Sequence, residues 1–423
     1  MRSWSVMYHL SHIRENVLSF LPIDKEDLVL EIGAGCGAVT GALSRMAKKV
    51  TCIELSRKRS SINATRHKEL DNIEILVGNF KDIEPDLSEK YDYITLIGVL
   101  EYAESYMPGD DPYRDFLRIV SRHLKPDGKL IIAIENRFGL KYFAGAKEDH
   151  TGNYFEGIEG YTEPRGVRTF SRQGLEDLLK DCGLLGTFYY PYPDYKLPCS
   201  IYSDDHLPGR GELNSNIRNF DNDRVVLFDE GKTFDNIIEE GMFPFFSNSF
   251  LVAAGPLGPL GLKAKDKPVF AKYSDERKRG FRSATVISKD TSGSEHVFKK
   301  GLTEEAKAHI RSLSSSYESF KAYFKGTKLK ANGCRLISDD TAELDFIKGI
   351  SLEDQLIKLD EEGRFEEIRE LLLEYGDILY KLAGPVNFKM TDGFREVFGE
   401  AEPSFELKAI ENADFDMIFS NIV

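Results

Sequence analysis

Glu31 stands ahead of three glycines at alternate positions, Gly33, Gly35 and Gly37, with Ala34 among them. Glycine weakens helices and strands. Three in so short a run serve a backbone that must turn through special dihedrals or admit a ligand against bare main chain. A tight turn with nothing bound meets the same description. Glu54 ends the next apolar run, followed by Leu55; a carboxylate there can accept from both hydroxyls of a ribose. Asn79 and Phe80 close a third run, and Gly98 follows a fourth. A polar side chain beside an aromatic suits an adenine, one reading the exocyclic amine and the other packing the ring. Further on, Asn136, Arg137, His150, Tyr154, Tyr161 and Arg168 lie in a long segment dense in glycine, aromatics and charge. Such segments are usually lids or binding loops. His150 is the imidazole placed to act there as a general base, or it is a solvated loop histidine. Arg137 and Arg168 can clamp an anion, or pair with nearby glutamates.

These residues need elements to hold them. "LVLEI" reads as a buried strand and "CGAVTGALSRMAKK" as the helix after it, with Val39, Leu43 and Met46 at helical spacing. "KKVTCIEL", "NIEILVGNF" and "YDYITLIGVLEY" read as further strands, "SRKRSSINATRHKEL" as an intervening helix, and "DFLRIVSRHLKPDGKLIIAIEN" as helix, turn and fifth strand. The alternation predicts a doubly wound α/β sheet, parallel, with helices on both faces. Ligands in such sheets bind at the carboxyl ends of the strands, where Glu31, Glu54, Asn79 and Gly98 fall. "LLGTFYYPYPDYKLPCSIYSD" reads as two strands joined through prolines, and "FPFFSNSFLVAAG" as the last strand of this sheet.

The bulk numbers exclude several classes. At 423 residues the chain exceeds one ordinary core, so two domains are expected. No apolar run reaches the length of a membrane span, and the mixed, charged N-terminus is no signal peptide. Five scattered cysteines without a C-x-x-C pair suit a reducing, cytoplasmic setting and argue against disulfides or zinc. A net charge of −14 disfavours a nucleic-acid partner.

A glycine turn with a ribose acid fits two cofactors. A dinucleotide would want G-x-G-x-x-G at a helix N-terminus, whereas this chain has E-x-G-x-G-x-G. Glu31 ahead of the glycines suits a cationic amino-acid moiety better than a pyrophosphate. With "EIGAGCG", "IEL", "GNF" and "LKPDGKLIIAIEN" in order, residues 28–135 resemble a class I S-adenosylmethionine-dependent methyltransferase with a Rossmann-like sheet. The resemblance implies that Glu31, Gly33, Ala34, Gly35 and Gly37 hold the methionine part. It assigns Glu54 and Leu55 to the ribose, Asn79 and Phe80 to the adenine, and Gly98 to the same cleft. Many family members carry Asp where Asn79 stands. Tyr8 and Arg14 could close over the cofactor carboxylate, or belong to an ordinary amphipathic helix. The product of transfer would be S-adenosylhomocysteine.

The second half changes character. "AAGPLGPLGLKAKDKP" reads as a linker. The chain therefore divides into a methyltransferase domain at 1–255, a linker at 256–268 and a smaller α+β domain at 269–423. Antiparallel strands, a helix, a hairpin and two helices follow in the order of a kinase small lobe. Lys299 resembles the strand lysine that grips nucleotide phosphates, with Lys300 competing for the place and Glu304, Glu305 or Glu318 as the helix partner. Asp416 and Asn421 carry the D-x-x-x-x-N spacing of a catalytic loop. No glycine-rich loop precedes Lys299, and the segment holding a metal-binding D-F-G aspartate does not follow Asn421. The half thus resembles a truncated kinase, with ATP and magnesium expected only if the natural protein is complete there.

The combination resembles bacterial methyltransferase–kinase fusions that modify or terminate surface polysaccharides. It implies a glycan hydroxyl or glycan phosphate as methyl acceptor and association with polysaccharide-assembly enzymes. Two alternatives stay open: a methyltransferase of a small metabolite or protein side chain with the second domain as a clamp, and a non-catalytic cofactor-binding module.

Overall fold

The computed structural model describes residues 4–163, 166–213, 224–256, 266–274, 277–383, 386–399, 408–409 and 417–423. Its contacts divide the chain into two compact units, Met1–Lys307 and Ala308–Val423.

The first unit is built on one sheet. β1 (Leu28–Ile32), β2 (Lys49–Glu54), β3 (Ile73–Val77), β4 (Tyr91–Ile97) and β5 (Leu124–Glu135) run parallel in the order β3-β2-β1-β4-β5. β4 is buried along its whole length because it is central and covered on both faces, which is why it reads as a continuous apolar run. Alternate residues part to opposite faces. Leu30, Ile32, Ile94, Leu96, Ile132 and Ile134 enter one apolar cluster, while Val29, Tyr93, Ile131 and Ala133 enter the other. The helix Pro112–Ser121 covers the first face with Tyr113, Phe116, Leu117 and Val120, an i, i+3, i+4, i+7 stripe.

The strand after the fifth is not at the end of the row. β8 (Ser249–Gly255) inserts antiparallel between β5 and β6 (Leu185–Tyr192), and β7 (Ser200–Ser203) pairs with the far side of β6. The helix expected to begin at Cys36 runs only from Thr40 to Met46. Gly33, Gly35 and Gly37 all sit at positive φ, so the chain is still turning where the apolar spacing alone suggested a helix.

The expected division at 256–268 does not match the compact units. Residues 257–265 lie outside the described residues. β9 (Asp266–Tyr273) pairs antiparallel with β7, and β10 (Ser283–Asp290) and β11 (Glu295–Gly301) extend the same sheet. Ala271, Tyr273, Ala284 and Val286 share a core with Tyr189 and Ile201. The Tyr273 hydroxyl donates to the Asn16 carbonyl at 2.7 Å. β7 presents an edge, and a paired edge satisfies backbone groups that would otherwise stand open.

The second unit contains most of the helix Glu304–Tyr323, the hairpin β12 (Cys334–Ser338) and β13 (Thr341–Leu344), and the helices Leu352–Glu361 and Phe365–Ala383. No helix among the described residues is long and apolar enough to cross a membrane.

Candidate active site

The turn after β1 is held to the end of β2. Gly33 and Ala34 donate their amides to the Ile53 carbonyl at 2.8 and 3.3 Å. The Gly35 amide donates to Glu54 Oε2 at 2.9 Å, and the Ser56 amide to Glu54 Oε1 at 2.8 Å. A Cβ at Gly33 would lie 2.5 Å from Val99 Cγ2, and one at Gly37 2.2 Å from Asn63 Oδ1. At Gly35 the nearest atom is the Gly33 carbonyl oxygen, 4.0 Å away. Gly33 and Gly37 are therefore glycines because of packing, whereas Gly35 leaves an open face beside a carboxylate. Glu54 has accepted two hydrogen bonds and keeps capacity for more, which fits a ribose diol.

Glu31 lies under this turn, almost wholly buried. Its Oε2 accepts from Thr40 Oγ1 at 2.6 Å and from the Cys52 thiol at 3.4 Å. Burial pushes its carboxyl up to about 7 against the opposing pull of those two donors. The residue thus ties β1 to the start of the helix Thr40–Met46. Leu55 is exposed beside Glu54. Asn79 caps the short helix Phe80–Ile83 through Lys81. Phe80, expected to pack an adenine, is buried in the core with its ring edge-on to Phe116 at 5.7 Å. Its place one residue inside a helix turns it inward.

Across the cleft, Gly98 adopts a positive φ after β4. A Cβ there would meet Tyr195 Oη at 2.9 Å and Glu101 Oε1 and Tyr8 Oη each at 3.5 Å. The opening segment therefore does reach the strand ends. The Arg14 guanidinium stacks over Tyr8 at 4.5 Å and faces the Tyr195 ring at 5.8 Å. It is buried, with Nη1 donating to the Lys196 carbonyl at 3.1 Å and Nε lacking a hydrogen-bond partner.

Beyond Gly98 lies a buried ionic cluster that sequence reasoning singled out only in part. Glu101 sits in the turn Leu100–Tyr102 after β4, Glu135 ends β5, and His150 lies in the following loop. Tyr195 Oη donates to Glu135 Oε1 at 3.2 Å, Lys196 Nζ lies 3.0 Å from the same oxygen, and His150 Nε2 lies 3.5 Å from Glu135 Oε2. Tyr102 Oη bonds His150 Nδ1 at 3.0 Å. Lys196 also pairs with Asp149, as does Lys141 at 2.8 Å.

Burial, reinforced by the Glu135 charge, raises Glu101 to about 8. Burial would raise Glu135 too, but the Lys196 and His150 cations draw it well below the usual carboxylate range. Burial opposes charge on His150, yet Glu135 and the neighbouring acids lift it to about 9. The imidazole expected to serve as a base therefore carries its proton through neutral pH. Glu101, Glu135, Tyr195 and Lys196 left little signal in the chain. "LEY" and "IEN" look like strand ends, and "DYKL" looks like a loop.

The other expected acceptor contacts separate. Asn136 is wholly buried, donating to the carbonyls of Phe245 and Ser247, each at 2.7 Å, and accepting from the Phe138 amide. It fastens a chain corner. Tyr161 Oη bonds Thr169 Oγ1 at 2.7 Å, and burial raises its phenol to about 12. Arg137 and Arg168 flank the Tyr161 ring at 5.9 and 5.6 Å and donate to the carbonyls of Gly157 and Glu163. Among the described residues, neither pairs with a glutamate side chain. Tyr154 is exposed.

Lys299 Nζ donates to Thr285 Oγ1 at 3.0 Å, while Glu304, exposed in the first turn of its helix, pairs with Lys307 at 2.9 Å. Asn421 lies in the turn Phe419–Asn421, and Asp416 lies outside the described residues.

Residues 7–185 match a family described as a methyltransferase domain. Over 82 residues the chain is 32% identical to a ribosomal RNA small subunit methyltransferase A of Leuconostoc mesenteroides, covering 19% of this chain and 28% of that protein. Over 149 residues it is 24% identical to a ubiquinone biosynthesis O-methyltransferase of Rickettsia typhi, covering 34% and 56%. The chain thus spans well under two thirds of these curated relatives. A crystal structure of an S-adenosylmethionine-dependent methyltransferase from Aquifex aeolicus aligns over 44% of this chain and 85% of that one, with 18% identity and a TM-score of 0.30.

Proposed function

We propose that the methyltransferase domain within residues 7–185, which takes S-adenosylmethionine as its methyl donor, acts on an oxygen of a saccharide hydroxyl or glycan phosphate. The observation that carries the donor side is the open left-handed position at Gly35, clamped by Glu54. Bare main chain and a carboxylate with spare acceptor capacity suit a nucleoside whose ribose is tethered there. The Arg14 guanidinium, buried between Tyr8 and Tyr195 with its Nε unpartnered, suits the cofactor's carboxylate.

S-adenosylmethionine supplies a methyl on a sulfonium and a neutral thioether as leaving group. The protein's work is alignment and exclusion of water, which can lower a barrier by about 7–11 kcal/mol when reacting atoms are well placed. Gly98, with Tyr8, Tyr195 and Glu101 around it, forms the wall between donor and acceptor. For a hydroxyl acceptor, ionised Glu101 can take the proton, its carboxyl being raised to about 8. A phosphate oxygen needs no base. Arg137 and Arg168 about Tyr161 offer guanidinium groups to an anionic glycan.

Relatives named for ribosomal RNA raise that acceptor as well, but a chain of net charge −14 is poorly suited to phosphate backbones. The second half is proposed as a kinase-like part without phosphotransfer of its own. The order of its elements supports the first point, and the lack of a G-x-G-x-x-G run between residues 268 and 298 supports the second.

Calorimetry with S-adenosylmethionine tests the donor side: absent binding, or binding indifferent to Glu54→Ala, refutes it. Incubation with labelled cofactor and separated glycan, RNA and metabolite fractions tests the acceptor. Label in glycan is expected, and label confined to RNA or metabolites overturns that assignment. Tight magnesium-dependent ATP binding would contradict an inert second half.

A further inference from the structure

We propose that Glu101, Glu135 and His150 form a divalent-cation site at the acceptor end of the methyl-transfer cleft. Each offers one ligand atom, and these atoms lie within 4.8 Å of one another. Glu101 Oε2 is buried without a hydrogen-bond partner, and Glu135 Oε2 and His150 Nε2, also buried, meet only each other, in an ion-pair contact at 3.5 Å that falls short of a well-formed hydrogen bond. A buried polar atom left unsatisfied costs about 1–3 kcal/mol, and more when charged. Folded proteins carry few of them. The three come from the turn after β4, the end of β5 and the loop beyond, so a divalent ion taking the place of the imidazolium proton would give all three one common partner.

The opposite atoms of two ligands are already fixed. Tyr102 holds His150 Nδ1, while Tyr195 and Lys196 hold Glu135 Oε1. Such outer contacts orient ligands and set their tautomer. Lys196, a competing cation, pairs with Glu135 Oε1 and with Asp149, while Glu135 Oε2 lies toward His150 at 3.5 Å. Two carboxylates and one imidazole favour an oxygen-preferring ion of the magnesium or manganese class.

Three protein ligands leave coordination positions open. Resting on the acceptor reading above, these would hold a sugar hydroxyl or a phosphate oxygen beside Gly98, fixing its position and stabilising its negative charge.

Manganese, titrated into the full chain and followed by electron paramagnetic resonance, tests the site. One ion per chain is expected to bind, displaced by magnesium, with affinity falling at least tenfold in Glu101→Gln. That substitution keeps shape and removes no ion pair. Circular dichroism melting and S-adenosylmethionine calorimetry confirm that the variant is folded. No manganese uptake, or equal uptake by Glu101→Gln, overturns the proposal, the latter marking surface acids as the binders. Cofactor binding without manganese binding refutes only the cation site. Manganese binding without cofactor binding refutes only the donor reading.

Discussion

The Glu54 carboxylate and the Gly35 amide are joined by a 2.9 Å hydrogen bond across the turn that leaves β1. The bond draws Gly35, which among the turn's Gly33, Gly35 and Gly37 is the one with open space on its Cβ side, against the acid that ends β2. It also explains why the two motifs work as a unit. The acid sets the turn, and the turn aims the acid. Glu54→Ala is expected to weaken S-adenosylmethionine binding by about 10–100-fold, the scale of hydrogen bonds to a charged group, with Glu54→Gln falling between. Isothermal calorimetry reads both.

Gly33 and Gly35 share a left-handed backbone but differ in surroundings. Alanine at either position costs about 1–2 kcal/mol for its conformation. At Gly33 the new methyl also meets Val99 Cγ2 at 2.5 Å, so a total loss of about 2–4 kcal/mol is expected. At Gly35 no atom is struck, and the larger effect should be a drop of at least tenfold in cofactor affinity. Denaturant unfolding together with calorimetry separates the two cases. Equal stability losses in the two variants would contradict this division.

Glu31 titrates against burial. Its folded carboxyl is raised to about 7 from an ordinary 4.5, so the folded state holds the proton more tightly than the unfolded chain. Its contribution to stability is complete below about pH 4.5 and is lost as pH rises through about 7. The difference in melting temperature between the wild type and Glu31→Gln should therefore shift in favour of the glutamine variant across that window. A constant difference from pH 4.5 to 7 would show that the carboxyl is not so perturbed.

β9 and β10 contribute to the first unit's core. Tyr273→Phe, which removes a donor to the Asn16 carbonyl, should cost on the order of 1 kcal/mol. Ala271→Asp places an unpaired charge in the shared core and should unfold the cofactor domain along with β9. Loss of cofactor binding in Ala271→Asp is the expected readout. Full cofactor affinity in a soluble Ala271→Asp chain would mean that β9 is an independent element.

Read in order, the residues alone determined the parallel α/β core and the glycine turn that ends beside Glu54. Those signals are local: an apolar run five to seven residues long, glycines where φ must be positive, and an acid at a strand's end. Periodicity and turn chemistry act within a few residues and survive without knowledge of the rest of the chain. Phe80 shows the limit of that reading. Its type suited a ring-stacking role, but one step into a helix aims it at Phe116 instead. Asn136 and His150 show it again, the first taken up by two carbonyls and the second kept protonated by acids from β5 and beyond.

Only the tertiary structure decided that β9 to β11 continue the first sheet, and that Glu101, Glu135, Tyr195 and Lys196 meet around His150. Both results depend on contacts between segments tens of residues apart. A strand's edge accepts whichever partner the whole chain brings to it, and a buried carboxylate takes its charge state from neighbours that no local window contains.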